Sequence, residues 1–419
     1  MNPTRTDGGA GAVPRPVDPR LLVREQGFRG YLREFLRRLR GGELGSVPVV
    51  LGLIVIWVIF QLLNDRFLTP RNLSNLSVDI VGTGLIAVGV VFVLLIGEID
   101  LSVGSVSGLA AAAFAVLNVH QGMAEWLAVM VAVLSGTAVG AVHGFFFARI
   151  GVPAFVVTLA GLLGWNGLML YVLGTRGTIN LDDEGLVARL TSLYFDDIAA
   201  AYGLAAVSVA IFFLSSCLGG LRRKTLGVPC RPLSEIAVRT GVLAVIAFAA
   251  AYTLNRFQGL PLALLIFLLV VVSLDLLLHR TPYGRKIFAL GGGVEAARRA
   301  GINVVWVRIS VFMVSGTMAA IGGLFLASRI TSASQTSGSG MLLMMAIAAA
   351  VIGGTSLFGG RGSTWSALLG MLVIQSIASG MALLGIQTAV QFMITGSVLL
   401  AAVVIDSLSR RSQRAHGLV

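Results

Sequence analysis

The chain has 419 residues, of which 56% are hydrophobic and only 12% charged, with a mean hydropathy of +0.90. Water-soluble domains are about 25% charged, so that class is excluded and the chain must place apolar surface in lipid. The expected fold is an all-α polytopic membrane protein of about 10–12 transmembrane helices. The net charge of +12 would suit nucleic acid, but its distribution along the chain argues for membrane topology instead.

Residues 1–46 form a polar tail rich in Gly, Pro and Arg. Arg24, Arg29, Arg33, Arg37, Arg38 and Arg40 suit either a basic helix on an anionic membrane surface or a solvated tail. No cleavable leader pattern is expected, because polar sequence precedes the first apolar run. The transmembrane domain is expected over 47–406, followed by a tail at 407–419. Its apolar segments fall near residues 47–63, 78–96, 101–119, 125–148, 154–174, 198–218, 241–254, 262–278, 310–327, 341–357, 364–384 and 388–405. If the N-terminus is cytoplasmic, the loops on that side carry 25 of the 31 Lys and Arg residues, and the opposite loops carry six. By the positive-inside rule, both termini and the loop at 279–309 are cytoplasmic. No disulfide is expected between Cys217 and Cys230, whose side is the reducing one.

Three stretches stand out. The first is Gly97-Glu98-Ile99-Asp100-Leu101-Ser102-Val103-Gly104-Ser105. Gly97 is expected to end one helix and Asp100 to cap the next through its carboxylate. Ser102, Gly104, Ser105 and Gly108 offer a small face for close packing. Acids beside a span need water, a cap or a partner, so the alternatives are a helix cap and part of a gate. The second is Gly353-Gly354-Thr355-Ser356-Leu357-Phe358-Gly359-Gly360-Arg361-Gly362-Ser363, dense enough in glycine to break a helix, with Ser363 available as a cap. The third is the basic island GRKIFALGGGVEAARRAGINV, Gly284 to Val304. Gly291, Gly292 and Gly293 are expected to end or hinge what precedes them. Val294 to Ala300 is a short helix with Glu295 at its positive end, Arg298 and Arg299 at its negative end, and Gly301 as its stop. Its alternatives are a plain connector and a docking helix for a soluble partner.

Glu295-Ala296-Ala297, followed after three residues by Gly301, resembles the EAA loop of permease subunits of ATP-binding cassette importers. The wider run, with IDLSVGS and the Gly353–Ser363 string, is similar to the ribose/xylose-type carbohydrate permeases, the xylose branch in particular. Gly151 to Leu159, with Pro153 in the favoured first-turn position, is a weaker match. Gly293 stands where asparagine is common in the family, and Glu98 where glycine is common.

The resemblance implies that the loop 279–309 holds a coupling helix, with Glu295, Ala296, Ala297, Arg298 and Gly301 contacting a separate ATPase subunit. It marks Asp100, Ser102, Gly104, Gly353, Gly354, Gly359 and Gly360 as motif residues and gate candidates. It further implies a second permease copy, an extracytoplasmic sugar-binding protein, a bacterial inner-membrane location, and D-xylose or a related pentose or hexose as cargo.

Trp165, Asn166, Gln375 and Gln391 are polar or aromatic within apolar runs. They are candidates for a solute path or for bonds between helices. No P-loop surrounds Lys224 or Lys286, so ATP and Mg are expected on the partner and no cofactor in this chain. His120, His143, His279 and His416 are scattered, so neither a metal site nor a catalytic group is expected. An ion-coupled sugar carrier is the main rival, and it would need ionisable residues deep in the spans. A membrane-embedded enzyme is a second rival, for which only Glu98 and Asp100 come near a catalytic pair.

Overall fold

A computed structural model describes residues 47–225 and 233–415. The expected tail at 1–46 and residues 416–419 of the expected tail at 407–419 lie outside these residues, as do the Arg-rich stretch and Cys230.

Twelve predominantly apolar helices occur where apolar segments were expected. In chain order the elements are α1 (Val47–Leu63), α2 (Pro70–Leu95), α3 (Val103–Ala115), α4 (Glu125–Phe145), α5 (Ala154–Leu173), β1 (Thr178–Asn180), α6 (Leu186–Ser192), β2 (Tyr194–Phe195), α7 (Ile198–Thr225), α8 (Leu233–Asn255), β3 (Leu260–Pro261), α9 (Leu262–Arg280), α10 (Pro282–Gly292), α11 (Val294–Arg299), α12 (Val304–Ile330), β4 (Ser332–Ser334), α13 (Gly340–Ile352), α14 (Trp365–Leu383) and α15 (Thr388–Ala415). Among the described residues, nine helices are long and apolar enough to cross a membrane, and α1, α13 and the part Thr388–Ala401 of α15 are shorter apolar stretches. The molecule is an all-α polytopic membrane protein. Its strands make only two small antiparallel pairs, β1 with β4 and β2 with β3.

The described residues fall into two units. One holds residues 204–248, most of α7 and α8, whose side chains are largely exposed and apolar. The other holds 47–203 and 249–415.

In this second unit the centre is α2. Its sequence from Ile80 to Leu95 carries no charge and is apolar on every face, the pattern of a helix buried all round. It packs against α9, α12, α13 and α14, and α12 in turn packs against α3 and α4. Gly82 faces Leu326, Gly84 faces Phe267, and Gly89 faces Ser315 and Met318. Small residues at these three positions bring α2 close to α12 and α9, the contact that substitutes for a hydrophobic driving force in lipid. Apolar side chains such as Trp126, Leu134, Phe155 and Leu163 point outward from α4 and α5, as a lipid-facing surface requires.

Several expected boundaries move. Helix α2 begins at Pro70 rather than near Val78, because its polar first turns find partners. Asn72 donates to the Phe67 carbonyl and accepts from the Ser379 hydroxyl. Helix α8 begins eight residues before the expected Gly241, and α15 continues to Ala415, past the expected boundary at 406. Pro153 stands one residue before α5, at its N-cap. The glycine run ends the preceding helix as expected: Gly291 and Gly292 are the last residues of α10 and Gly293 is its C-cap.

Candidate functional site

The basic island builds a helical elbow. Thr281 starts α10: its hydroxyl accepts from the Gly284 amide at 3.3 Å, and Pro282 occupies the first turn. The Tyr283 hydroxyl meets the Ser310 hydroxyl at 2.8 Å, which ties α10 to α12. After Gly293 the chain forms α11, a helix of six residues. Ala297 is buried beneath it, and Val294 and Ile302 pack on the core. Glu295, Ala296, Arg298 and Arg299 are exposed. Glu295 and Arg298 pair at 3.1 Å across one turn, an exposed contact worth at most about 0.5 kcal/mol.

At Gly301 φ is +79°, and the amides of Gly301 and Ile302 donate to the Arg298 and Ala297 carbonyls. This is the glycine-closed helix end known as a Schellman motif. Asn303 then caps α12 by accepting from the Trp306 amide at 3.1 Å. The five expected coupling residues therefore share one short elbow, anchored by Ala297 and outward-facing elsewhere.

The two glycine motifs meet the base of that elbow. The Gly360 amide donates to the Leu95 carbonyl at 2.9 Å. A side chain at Gly291 would collide with that same carbonyl and with the Gly360 amide. Gly359 lies against Gly97 and the Gly291 carbonyl. Three turns from three parts of the chain thus touch backbone to backbone, and this contact explains why glycine sits inside α10. Gly353 abuts the Ser366 backbone, and Gly354 closes the end of α13, its amide donating to the Val351 carbonyl. The N-cap position of α14 is Thr364 rather than the expected Ser363, and its hydroxyl makes no cap bond but donates to the Val271 carbonyl at 2.7 Å. Glu98 lies beside this junction. Burial pushes its carboxyl up, and the Arg308 guanidinium offsets part of that shift.

Asp100 and Ser102 run inward from Gly97. Asp100, 3% exposed, accepts from the Ser102 amide at 2.9 Å, from the Ser102 hydroxyl at 2.6 Å and from the Ser315 hydroxyl of α12 at 3.0 Å. The Ser102 hydroxyl lies 3.2 Å from His143 Nδ1, and the Trp165 indole donates to His143 Nε2 at 2.9 Å. An indole N–H only donates, so Nε2 must be the accepting nitrogen and the imidazole proton sits on Nδ1. The chain then runs in one sense: Trp165 to His143 to Ser102 to Asp100, with Ser315 closing the far carboxylate oxygen. A protonated imidazole would set two N–H groups against each other. The network joins α3, α4, α5 and α12. Asp100 is not the N-cap of α3, a position held by Ser102; it accepts from the Ser102 amide just ahead of the helix and is the hub of a buried network.

Two sequence-based expectations change here. The acids were placed near span ends, yet Asp100 bonds to Ser315, eleven residues into α12. His143 was set aside as scattered, yet it is a central member. The available signal was Asp100 itself, since a buried acid in an apolar chain demands donors. Of the solute-path candidates, Trp165 is bound to His143, Asn166 is exposed on the next position of α5, and Gln375 and Gln391 are half-buried on α14 and α15. Gly104 lies against the Gly338 and Ser339 carbonyls. Among the described residues, no group of His, Cys, Asp and Glu could hold a metal ion.

A many-helix membrane protein with an exposed capped elbow and glycine-jointed helices has the build of a transport protein. Residues 72–403 match the family described as branched-chain amino acid transport system / permease component, and the chain belongs to it. It is 35% identical over 374 residues to the xylose transport system permease protein XylH of Escherichia coli strain K12, covering 89% of this chain and 94% of that protein. It is 32% identical over 365 residues to the ribose import permease protein RbsC of Bacillus subtilis strain 168, covering 87% and 94%. It is 29% identical over 373 residues to the L-arabinose transport system permease protein AraH of Escherichia coli strain K12, covering 89% and 92%. No solved structure matches the chain.

Proposed function

We propose that this protein is the membrane permease subunit of an ATP-binding cassette importer for a monosaccharide, D-xylose or a related pentose or hexose. The observation that carries this reading is α11: a closed, outward-facing helix whose base is wired to two glycine turns of the transmembrane body. A soluble motor that moves α11 would move the Gly97 and Gly359 turns with it. The names of the three relatives support a pentose as cargo. In this reading a separate ATPase subunit binds ATP and Mg and grips Glu295, Ala296, Arg298 and the Gly301 turn. Two permease copies form the path, and a sugar-binding protein delivers cargo on the side facing away from α11. The protein sits in a bacterial inner membrane with both termini cytoplasmic, as the distribution of Lys and Arg indicates.

The test is purification of the tagged chain from its own membranes, followed by ATPase assay with sugar-loaded binding protein. A copurifying ATPase stimulated by the loaded protein supports the importer. A chain that purifies alone and takes up sugar without ATP overturns it. Cysteines at Asp183 and Ser234 test the orientation: the first should label from outside, the second only after permeabilisation, and the reverse pattern inverts the topology.

One observation favours the ion-coupled carrier as a second reading, namely the buried Asp100–Ser102–His143 chain, since ionisable groups inside spans mark ion paths. That chain, however, ends on protein donors at both termini, Trp165 and Ser315. Uptake insensitive to a proton ionophore but abolished by ATP depletion separates the two readings in favour of the importer.

A further inference from the structure

At the far end of α12 from the elbow, a cavity of about 200 Å³ opens between α3, α12 and the segment after β4. Five hydroxyl side chains line it: Ser107, Ser334, Thr336, Ser337 and Ser339. The remaining wall is glycine and aliphatic carbon, with no ionisable and no aromatic side chain. The position is deep. Gly323, on its floor, abuts the Ser107 backbone two helical turns before α12 ends at Ile330. Helix α13, which leaves the cavity at Gly340, has 13 residues, about 20 Å of rise against a hydrocarbon core of about 30 Å. The non-helical stretch 335–339 between β4 and α13 lines the cavity with its backbone and hydroxyl groups.

Local bonding holds this stretch in shape. The Ser334 amide donates to the Ser337 hydroxyl at 3.0 Å, the Ser337 amide to the Ser334 carbonyl at 2.9 Å, and the Ser339 amide to the Thr336 carbonyl at 3.2 Å. Side chains at Gly108 or Gly338 would collide with the opposing backbone, so the segment is seated directly on α3. The β1–β4 pairing fixes its other end.

We propose that this cavity is a solute subsite for a neutral polyol of monosaccharide size, recognised through hydroxyl and main-chain hydrogen bonds. The proposal rests on the importer reading and adds to it the residues that meet the cargo. The family description includes amino acid transport, but a zwitterion entering here would leave an ammonium and a carboxylate without charged partners in a low-dielectric wall. A sugar brings only hydroxyls, which serine and threonine can both donate to and accept from. Recognition at this point needs no aromatic platform.

The experiment uses the permease with its ATPase and binding protein in proteoliposomes. Thr336→Val and Ser339→Ala should raise the KM for D-xylose or D-ribose uptake about five- to tenfold, one lost neutral hydrogen bond each. In a second arm, Ser337→Cys, placed in a chain whose native cysteines are serine, is labelled with a maleimide in the absence of the binding protein. D-xylose should protect it and L-leucine should not. Unchanged KM in both variants together with no protection by any sugar overturns the subsite, even where the wild type transports sugar and the importer reading stands. Protection by L-leucine alone overturns the polyol class. Protection by D-xylose in a chain that shows no ATP-driven uptake supports the subsite while removing the importer.

Discussion

The two ends of α12 are built on opposite plans. At the Val304 end, the last turn of α10 and the turns at Gly97 and Gly359 meet backbone to backbone, with no room for a side chain at Gly291, and a charged elbow projects from them. At the Ile330 end the helix gives way to a two-stranded pairing, an Asp79–Arg329 ion pair at 2.8 Å and a hydroxyl-lined hollow. One end is close-packed and suited to passing on a push, whereas the other is open and suited to admitting a solute. Between them the Asp100 network pins α3, α4 and α5 to the middle of α12. The comparison teaches that glycine plays two physical parts here: it lets turns fuse at one end, and it seats a polar segment at the other.

The largest expected effect breaks the fused end. Gly291→Val drives a side chain into the Leu95 carbonyl and the Gly360 amide, and overpacking of this kind costs about 1–3 kcal/mol or more. The unfolding temperature in detergent should fall by several degrees, while Gly292→Ala, where a side chain meets nothing, should have little effect. An equal response of the two variants would remove the junction from the account. Next comes the pin between the ends. Asp100→Ala leaves the buried Ser102 and Ser315 hydroxyls without their acceptor, at about 2–3 kcal/mol in unfolding experiments. Trp165→Phe removes one bond to His143 and should cost about 1 kcal/mol. If Trp165→Phe cost as much as Asp100→Ala, the network would not have its hub at the carboxylate.

The elbow comes third. Gly301→Ala forces a left-handed residue, costing about 1–2 kcal/mol locally, and Glu295→Ala removes an exposed charge at almost no cost in stability. Both should weaken ATPase copurification and transport. Normal copurification with normal transport in both variants would exclude α11 as the contact.

The smallest effect concerns pH. The Glu98 carboxyl is raised in the folded protein, mainly by burial, so the native state holds its proton more tightly than the unfolded chain does. Glu98 therefore favours folding most at acidic pH. That contribution declines as pH rises through the ordinary carboxylate range toward the raised value. Glu98→Gln should flatten this part of the stability–pH curve. A steeper curve for the variant would reverse the sign of the argument.

The twelve apolar helices were legible in the sequence because hydropathy alone decides which segments lie in lipid, and α1 matches its expected bounds residue for residue. The stop at Gly301 was legible because helix ends use local chemistry. What could not be read depends on contacts between distant residues. The close approach of Gly291 to the Leu95 carbonyl, almost two hundred positions away in the chain, has no local signature, and neither has the bond from the Thr364 hydroxyl to the Val271 carbonyl. The role of His143 has no local signature because its partners, Ser102 at the start of α3 and Trp165 of α5, come from two other helices. The seat of the segment Ser337–Ser339 against Gly104 and Gly108 has no signature in the sequence either.

Helix α12 runs for 27 residues without a proline or a break, a rod of about 40 Å. A rod of that length is a lever. Tilting it by about 5° at the Val304 end, with that end as fulcrum, swings the Ile330 end through about 3–4 Å, comparable with the width of a water molecule. The floor of the hydroxyl-lined hollow rides on that moving arm, so a modest rotation where the elbow is gripped is enough to widen or shut the far opening.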